Sequence, residues 1–160
     1  MRRASRARLH PEFRAAILAS TVPQSVLAKM PNNPVVRFNL GEALIVKGNT
    51  DQGRSQLLEA IKVSPNYFPA KLALGKSYMV GGDAAKGLQY ADEIIKANPN
   101  MLAARVLRAS ALMTLKDFKT ARPELEMLVE KIPNLKDARF LLANLNLAEG
   151  KVAQSEAEFR

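Results

Sequence analysis

Few residues in this sequence have types that could carry catalysis. The chain of 160 residues has a single histidine, His10, and no cysteine. Thiolate chemistry and Cys-based zinc sites are therefore excluded, and a Ser-His-Asp triad would depend on His10. The one acid near it in the sequence is Glu12, and no HExxH, GxSxG, P-loop or Rossmann glycine pattern occurs. These residue types argue against an enzyme.

Three further groups of residues could in principle do chemistry, but a structural role explains each of them better. Gly81-Gly82-Asp83 has the composition of a turn between helices rather than of a phosphate cradle. The acids Asp92-Glu93, Glu124 and Glu126 lie on predicted helices, where charged side chains normally face water. We therefore expect no catalytic residue, no metal site and no cofactor.

The elements that must position these residues are organised by a repeat. Prolines recur every 34 residues, and an asparagine follows each of them. The four pairs are Pro31-Asn32, Pro65-Asn66, Pro99-Asn100 and Pro133-Asn134. Small residues recur with the same period at Gly41, Gly75, Ala109 and Ala143. Two further positions keep the period with one exception each. Glycine recurs at Gly48, Gly82 and Gly150, with Lys116 as the exception, and leucine recurs at Leu40, Leu74 and Leu142, with Arg108 as the exception. Such a register indicates internal repeats.

The sequence pattern of one repeat unit predicts a helical hairpin. Apolar residues recur at helical spacing over residues 34–47, which predicts an amphipathic helix. Gly48-Asn49 ends this helix, because glycine tolerates the left-handed conformation needed there. A second helix is expected from about Asp51 to Lys62, and the absence of side chains at Gly41 and Gly53 allows the two helices to approach closely. A hairpin of this kind buries its apolar face by stacking on neighbours.

The pattern resembles the tetratricopeptide repeat (TPR) family over residues 34–160. The resemblance also rests on a second small position, Gly53, Gly87, Ala121 and Ser155, and on the turns Gly48-Asn49, Gly82-Asp83 and Lys116-Asp117. It implies an all-α fold, a right-handed α-solenoid of helix-turn-helix repeats with a 34-residue period, and the repeats are similar to those of bacterial TPR proteins. We predict an arm at residues 1–20 and a TPR domain at residues 21–160. The expected repeats are a partial one at 21–33, full ones at 34–67, 68–101 and 102–135, and a truncated one at 136–160.

The resemblance also implies a partner-binding groove lined by the first helix of each repeat. In the family, positions 2, 5, 9, 12 and 13 of the repeat face this groove. Position 5 is apolar throughout: Phe38, Leu72, Val106 and Phe140. Position 12 is apolar as well: Ile45, Met79, Met113 and Leu147. Between them lies a polar row, position 9: Glu42, Lys76, Ser110 and Asn144. Lys76 and Asn144 alone do not make the carboxylate clamp of chaperone-binding members, so we expect an apolar-faced peptide or helix in the groove.

Other interpretations of the same residues remain open. Some of the apolar side chains could belong to the core, and the N-terminal segment or a second copy of the chain could fill the groove. At the fourth position the family has a large aromatic residue, whereas this chain has a cationic row: Arg37, Lys71, Arg105 and Arg139. Their alkyl stems could cover the core with the charged ends in water, or the row could face an acidic partner. Pro123 lies inside a predicted second helix, where it removes one backbone hydrogen bond at a cost of about 3 kcal/mol if nothing compensates; we expect a local kink and no loss of the fold.

The net charge of +9, from 24 basic and 15 acidic residues, is concentrated near the N-terminus. Residues 1–33 contain six basic residues and one acid. Such an arm could bind nucleic acid or anionic lipid through counterion release, act as a targeting segment, or be a solvated tail. Its arginine-rich stretch, residues 2–8, contains no aromatic residue and no nucleic-acid motif, so nucleic acid is not the expected partner.

We therefore expect a noncatalytic scaffold or adaptor that binds a protein or peptide partner. The alternatives are a self-assembling homo-oligomer, through the groove or the uncapped ends, and electrostatic binding of an anionic partner by the arm. No apolar run approaches the roughly 18 residues of a transmembrane segment. The sequence stops within a predicted second helix without a polar cap, so we expect a piece of a longer protein, cytoplasmic or bacterial periplasmic.

Overall fold

The computed structural model describes residues 30–159, and these residues form eight α-helices. The helices are α1 (Pro34–Val46), α2 (Thr50–Val63), α3 (Phe68–Val80), α4 (Ala84–Ala97), α5 (Leu102–Thr114), α6 (Phe118–Lys131), α7 (Lys136–Ala148) and α8 (Val152–Phe159). The odd-numbered helices have 13 residues each and begin 34 residues apart. The predicted all-α helical repeat with a 34-residue period is confirmed. The predicted arm at 1–20, His10 and residues 21–29 of the predicted partial repeat lie outside the described residues.

The helix ends follow from the residues that recur in the turns. Asp83 caps α4 by accepting a hydrogen bond from the Lys86 backbone N–H, and Asp117 caps α6 in the same way from Thr120. After each first helix, one residue takes a positive φ: Gly48, Gly82, Lys116 and Gly150. Glycine adopts this conformation without steric cost, so Lys116, with φ of 60°, is the strained member of the set.

The chain divides into two compact units, and the boundary follows Ala70. In the first unit, α1 packs against α2 along Gly41 and Gly53. A Cβ atom at Gly53 would lie 2.6 Å from the Gly41 carbonyl oxygen and 2.6 Å from Ile45 Cγ1. The close approach predicted from these two glycines is confirmed. Leu57, which faces Gly41, is fully buried at this contact.

The second unit begins at Lys71 and is a continuous stack of helices. In it α4 packs on α5, α5 on α6, α6 on α7, α7 on α8, and α5 on α7. Its apolar core is built from small and large aliphatic residues: Ala109, Leu112, Ala121, Leu125, Leu128, Ala138, Leu142 and Leu145. Helix α6 continues through Pro123 to Lys131, so the proline does not interrupt the fold.

The expectation that acids on the second helices face water is wrong for Glu124. Its side chain on α6 is only 6% exposed and accepts hydrogen bonds from Arg105 Nη1, at 3.1 Å, and from Arg108 Nη1. Arg108 Nε also donates to Asp92 Oδ1 on α4, at 2.6 Å. Burial acts to lower the pKa of Arg108, but the hydrogen bonds with Glu124 and Asp92 outweigh it and raise that pKa. Arg108 occupies the position at which the other repeats have leucine, and the carboxylates of Glu124 and Asp92 compensate its charge there.

Candidate partner-binding surface

The second unit carries a cleft of about 490 Å³ between α3, α5 and the start of α7. Ten residues line it: Lys76, Met79, Val80, Leu102, Ala103, Val106, Leu107, Ser110, Leu135 and Asp137. Seven of the ten side chains are apolar, and the polar ones are Lys76, Ser110 and Asp137. Pockets that bind ligands typically have volumes of about 300–1,000 Å³ and mainly apolar walls. This cleft has the size and composition of a binding site.

Helix packing positions the two long walls of the cleft. The backbone of α3 approaches α5 closely at Gly75, where an added Cβ atom would lie 2.8 Å from Leu107 Cδ2. On α5, Leu102, Val106 and Ser110 follow one another at a spacing of four residues, so they share one face of the helix. The small residue of the repeat therefore sets the distance between α3 and α5, and helical spacing aligns the lining residues.

Four of the predicted groove residues meet in this cleft: Lys76, Met79, Val106 and Ser110. Met79 and Val106 are half-buried, while Lys76 is exposed. Met79 also packs over the second helix of its own repeat, because a Cβ atom added at Gly87 would lie 2.6 Å from its Sδ. Position 12 thus contributes to the packing within the hairpin as well as to the cleft.

The other predicted groove residues of the second unit do not line the cleft. Leu72 is half-buried on α3, and Met113 packs against the core. On α7, Phe140 is 57% exposed and Leu147 is 49% exposed, and Asn144 lies between them on the same helical face. Helix α7 therefore presents a separate, more open apolar face.

The predicted groove residues of the first unit have contacts of their own. The ring of Phe38 meets Tyr67 edge-on, with 5.7 Å between the ring centroids. Ile45 packs over Gly53, as Met79 does over Gly87. Burial, and then the nearby negative charge of Glu42, raise the pKa of Tyr67. Phe38 and Ile45 therefore contribute to the packing of the first unit, as one of the open interpretations anticipated.

Six residues that line the cleft were not among the candidates: Val80, Leu102, Ala103, Leu107, Leu135 and Asp137. Val80 is 91% exposed at the end of α3, and it occupies position 13 of the repeat. Ala103 and Asp137 occupy position 2. Both positions face the groove in the family that the sequence resembles, so carrying them over would have identified these three residues.

The cationic row makes contacts within the chain. Three arginines donate from Nε to the carbonyl of the proline six residues earlier: Arg37 to Pro31, Arg105 to Pro99, and Arg139 to Pro133. Their Nη1 groups reach 19 residues ahead, Arg37 to Gln56 Oε1, Arg105 to Glu124 Oε1 and Arg139 to the Glu158 backbone oxygen. Lys71 Nζ instead pairs with Glu93 Oε2 at 3.1 Å.

These contacts connect the proline turn, the first helix and the second helix of a repeat. The charged ends do not simply extend into water, because a carbonyl and a polar partner lie within hydrogen-bonding reach. Binding of an acidic partner by this row stays a prediction.

Residues 30–159 contain neither a candidate membrane span nor a candidate metal centre. No helix of this stretch combines the length and the apolar character that a membrane span requires. The same stretch brings together no group of three or more His, Cys, Asp or Glu side chains suited to a metal ion.

Comparisons with known proteins agree with the fold. A family model described as tetratricopeptide repeat matches residues 38–101 and 72–136. No curated protein matches the chain. Among solved structures, the chain is similar to MamA, residues 41 to the end, from Desulfovibrio magneticus RS-1, with 18% identity, 95% of this chain and 83% of that chain covered, and a TM-score of 0.75.

Two other solved structures show the same likeness. A tetratricopeptide repeat protein from Parabacteroides merdae ATCC 43184 has 18% identity, coverage of 92% of this chain and 58% of that chain, and a TM-score of 0.78. YrrB, described as a TPR protein with an unusual peptide-binding site, has 17% identity, coverage of 88% and 72%, and a TM-score of 0.72. At these identities the likeness concerns the fold. Proteins of the matching family are protein-interaction scaffolds, and they are in general not enzymes.

Proposed function

Because the chain belongs to the tetratricopeptide repeat family, we propose that it is a noncatalytic scaffold that binds an apolar-faced segment of a partner protein. The binding site is the cleft between α3, α5 and the start of α7. The observation that carries the proposal is the cleft itself, which offers about 490 Å³ between mainly apolar walls.

Exposed apolar side chains in the cleft supply the driving force. Val80 is 91% exposed and Leu102 is 39% exposed, and a partner that covers them removes apolar surface from water. Burying such surface contributes roughly 25 cal/mol per Å². Contiguous exposed apolar surface of this kind commonly marks an interaction site.

The test compares two leucines at opposite ends of α5. Peptides are first selected from a random library on the unmodified chain, and their affinities for Leu102→Glu and Leu115→Glu are then measured by calorimetry. Leu102 lines the cleft and Leu115 does not, although Leu115 is 45% exposed and Leu102 39%. We expect Leu102→Glu to weaken binding roughly 10- to 100-fold, the equivalent of losing one buried leucine.

Leu115→Glu serves as the matched control and should leave the affinity within about twofold. Circular dichroism on both variants establishes that they remain folded. Equal loss of affinity in the two variants, or full affinity in Leu102→Glu, would show that the cleft is not the binding site.

A further inference from the structure

The two charged residues that line the cleft differ from most charged residues around them. Lys76 on α3 and Asp137 on α7 have opposite signs, and neither makes an ion pair or a side-chain hydrogen bond with another described residue. On the same two helices, Lys71 pairs with Glu93 and Arg139 with Glu158. The cleft therefore presents one cation and one anion that are available to a ligand.

These two charges lie on the two helices that pack against α5, Lys76 on α3 and Asp137 on α7. Helix α5 packs against both α3 and α7, and five of its residues between Leu102 and Ser110 line the cleft. At a rise of 1.5 Å per residue, this stretch of α5 is about 12 Å long. A ligand that fills the cleft thus meets α5 together with a positive charge carried by α3 and a negative charge carried by α7.

The chemistry of the walls favours a helical ligand over an extended one. An extended segment of about 12 Å has roughly four residues, and each brings a backbone donor and acceptor that require partners when buried. The backbones of α3 and α5 are hydrogen-bonded within their own helices. Only Lys76, Ser110 and Asp137 offer side-chain nitrogen or oxygen in the cleft. A helix satisfies its own backbone and needs only an apolar face.

We infer that the occupant of the cleft is a short amphipathic helix of a partner protein, with an acidic side chain facing Lys76 and a basic side chain facing Asp137. This inference rests on the proposed function, since it specifies the partner of the same cleft. Opposite charges at the edge of an apolar site fix the orientation of a ligand and exclude wrong partners more than they add affinity.

The test uses designed peptides of about 20 residues, longer than the roughly 12–15 residues below which isolated helices are marginal in water. All carry leucines at positions i, i+3, i+4 and i+7 for the apolar face. The first peptide has a glutamate at one end of this face and a lysine at the other, the second has glutamate at both ends, and the third has lysine at both ends. A fourth has the composition of the first with a proline at its centre, which prevents a continuous helix.

We expect the mixed peptide to bind the unmodified chain most tightly. Its affinity should exceed that of the peptide with two glutamates and that of the peptide with two lysines by roughly two- to fivefold, as expected for partly exposed charge pairs. Lys76→Glu should shift the preference to the peptide with two lysines, and Asp137→Lys to the peptide with two glutamates. Lys119→Glu, an exposed charge reversal on α6 outside the cleft, controls for net charge and should leave the preference unchanged. High salt should reduce these preferences.

Different outcomes separate this inference from the proposed function. If all three helical peptides bind equally and Leu102→Glu abolishes their binding, the charge assignment is wrong and the cleft remains the site. If the proline peptide binds as well as the mixed one, the helical partner is wrong. If no peptide binds, the inferred occupant is overturned. It is also overturned if sedimentation shows a dimer that Leu102→Glu dissociates but that the peptides leave intact.

Discussion

Four turns join a first helix to a second helix among residues 30–159, and the one at Lys116 contains backbone strain. Lys116 has a φ of 60°, where the other three turns have glycine with φ between 76° and 86°. A side chain in this conformation meets its own backbone at a cost of roughly 1 kcal/mol. Glycine is the usual residue just after the end of a helix. In this turn the position is occupied by Lys116, whose side chain disfavours the left-handed conformation.

Lys116→Gly should therefore stabilise the chain, by up to about 1 kcal/mol after the greater entropy of glycine in the unfolded state is subtracted. Urea unfolding measures the change. Gly82→Ala is the reverse control, because no atom lies within 4 Å of an added Cβ atom there and only the backbone responds. It should destabilise by about 1 kcal/mol. A loss of stability in Lys116→Gly would refute the assignment of strain.

At the scale of elements, glycines determine how closely the two helices of a repeat approach. At Gly53 an added Cβ atom would lie 2.6 Å from the Gly41 carbonyl oxygen, which belongs to the backbone of the facing helix. At the equivalent Gly87 the nearest atoms, at 2.6 Å, belong to the flexible side chain of Met79, and the Gly75 oxygen is 3.4 Å away. The same substitution therefore meets a rigid neighbour in one repeat and a movable neighbour in the other.

Gly53→Ala should destabilise the chain by roughly 1–3 kcal/mol, because α1 and α2 must separate to admit the methyl group. Gly87→Ala should be close to neutral, since repacking of Met79 offsets the gain of about 1 kcal/mol expected when alanine replaces glycine within a helix. Thermal unfolding followed by circular dichroism compares the two variants. Equal destabilisation would mean that the backbone contact at Gly53 is not limiting.

The buried Glu124 connects three elements, α4, α5 and α6, through Arg105 and Arg108. Removing one partner of a buried ion pair typically costs about 3–5 kcal/mol when the remaining charge is buried and unpaired, whereas here Arg108 keeps Asp92 as a partner. We expect Glu124→Ala to lower the free energy of unfolding by about 3 kcal/mol, the lower end of this range, because Arg105 and Arg108 are partly exposed. Glu126→Ala is the matched control on the same helix, because Glu126 itself is 55% exposed and its pair with Arg122 is worth at most about 1 kcal/mol. Comparable losses in the two variants would contradict the difference in burial.

At the scale of the whole molecule, alkaline pH should destabilise both units. Tyr67 lies in the first unit and Tyr90 in the second. Burial raises the pKa of both, helped by Glu42 at Tyr67 and by Tyr78 and Glu93 at Tyr90. A raised folded-state pKa means that the unfolded chain ionises first, so stability is fully present below the ordinary value of about 10 and falls as pH rises through the raised value.

Urea midpoints measured from about pH 8 to pH 11 should therefore decline above about pH 10. Tyr67→Phe and Tyr90→Phe should each reduce the decline, because phenylalanine does not ionise. The chain has three tyrosines and no tryptophan, so phenolate absorbance reports the same titration directly. Identical alkaline profiles for the unmodified chain and both variants would contradict the raised pKa values.

Much of the fold could be predicted from sequence, because its signals are local and repeated. Pro65 and Gly48 act on their own segments of backbone, so the positions at which helices stop follow from residue type. The close approach at Gly41 and Gly53 was also predictable, since glycine in register on both helices removes the side chains that would hold the two backbones apart. Because the unit recurs every 34 residues, the prediction for one unit also predicted the order of the helices over residues 30–159.

The candidate site was predictable only in part. The repeat indicated that Lys76, Met79, Val106 and Ser110 share a surface, and these residues meet in the cleft. Residues outside the family's groove positions, such as Leu107 and Leu135, were missed because their place depends on how neighbouring repeats stack. The pattern alone also could not tell that Ile45 and Met79 pack over glycines within their own hairpins.

The sequence by itself thus determined the helical repeat and the family, because turn chemistry, helix propensity and spacing act over a few residues. Only the tertiary structure decided which charges are buried and which are available. Glu124 is buried because Arg105 and Arg108 approach it from another helix, whereas Lys76 and Asp137 lack such partners among the described residues and line the cleft. The free energy of a charge depends on its neighbours in space, and the residue types of one helix do not specify those neighbours.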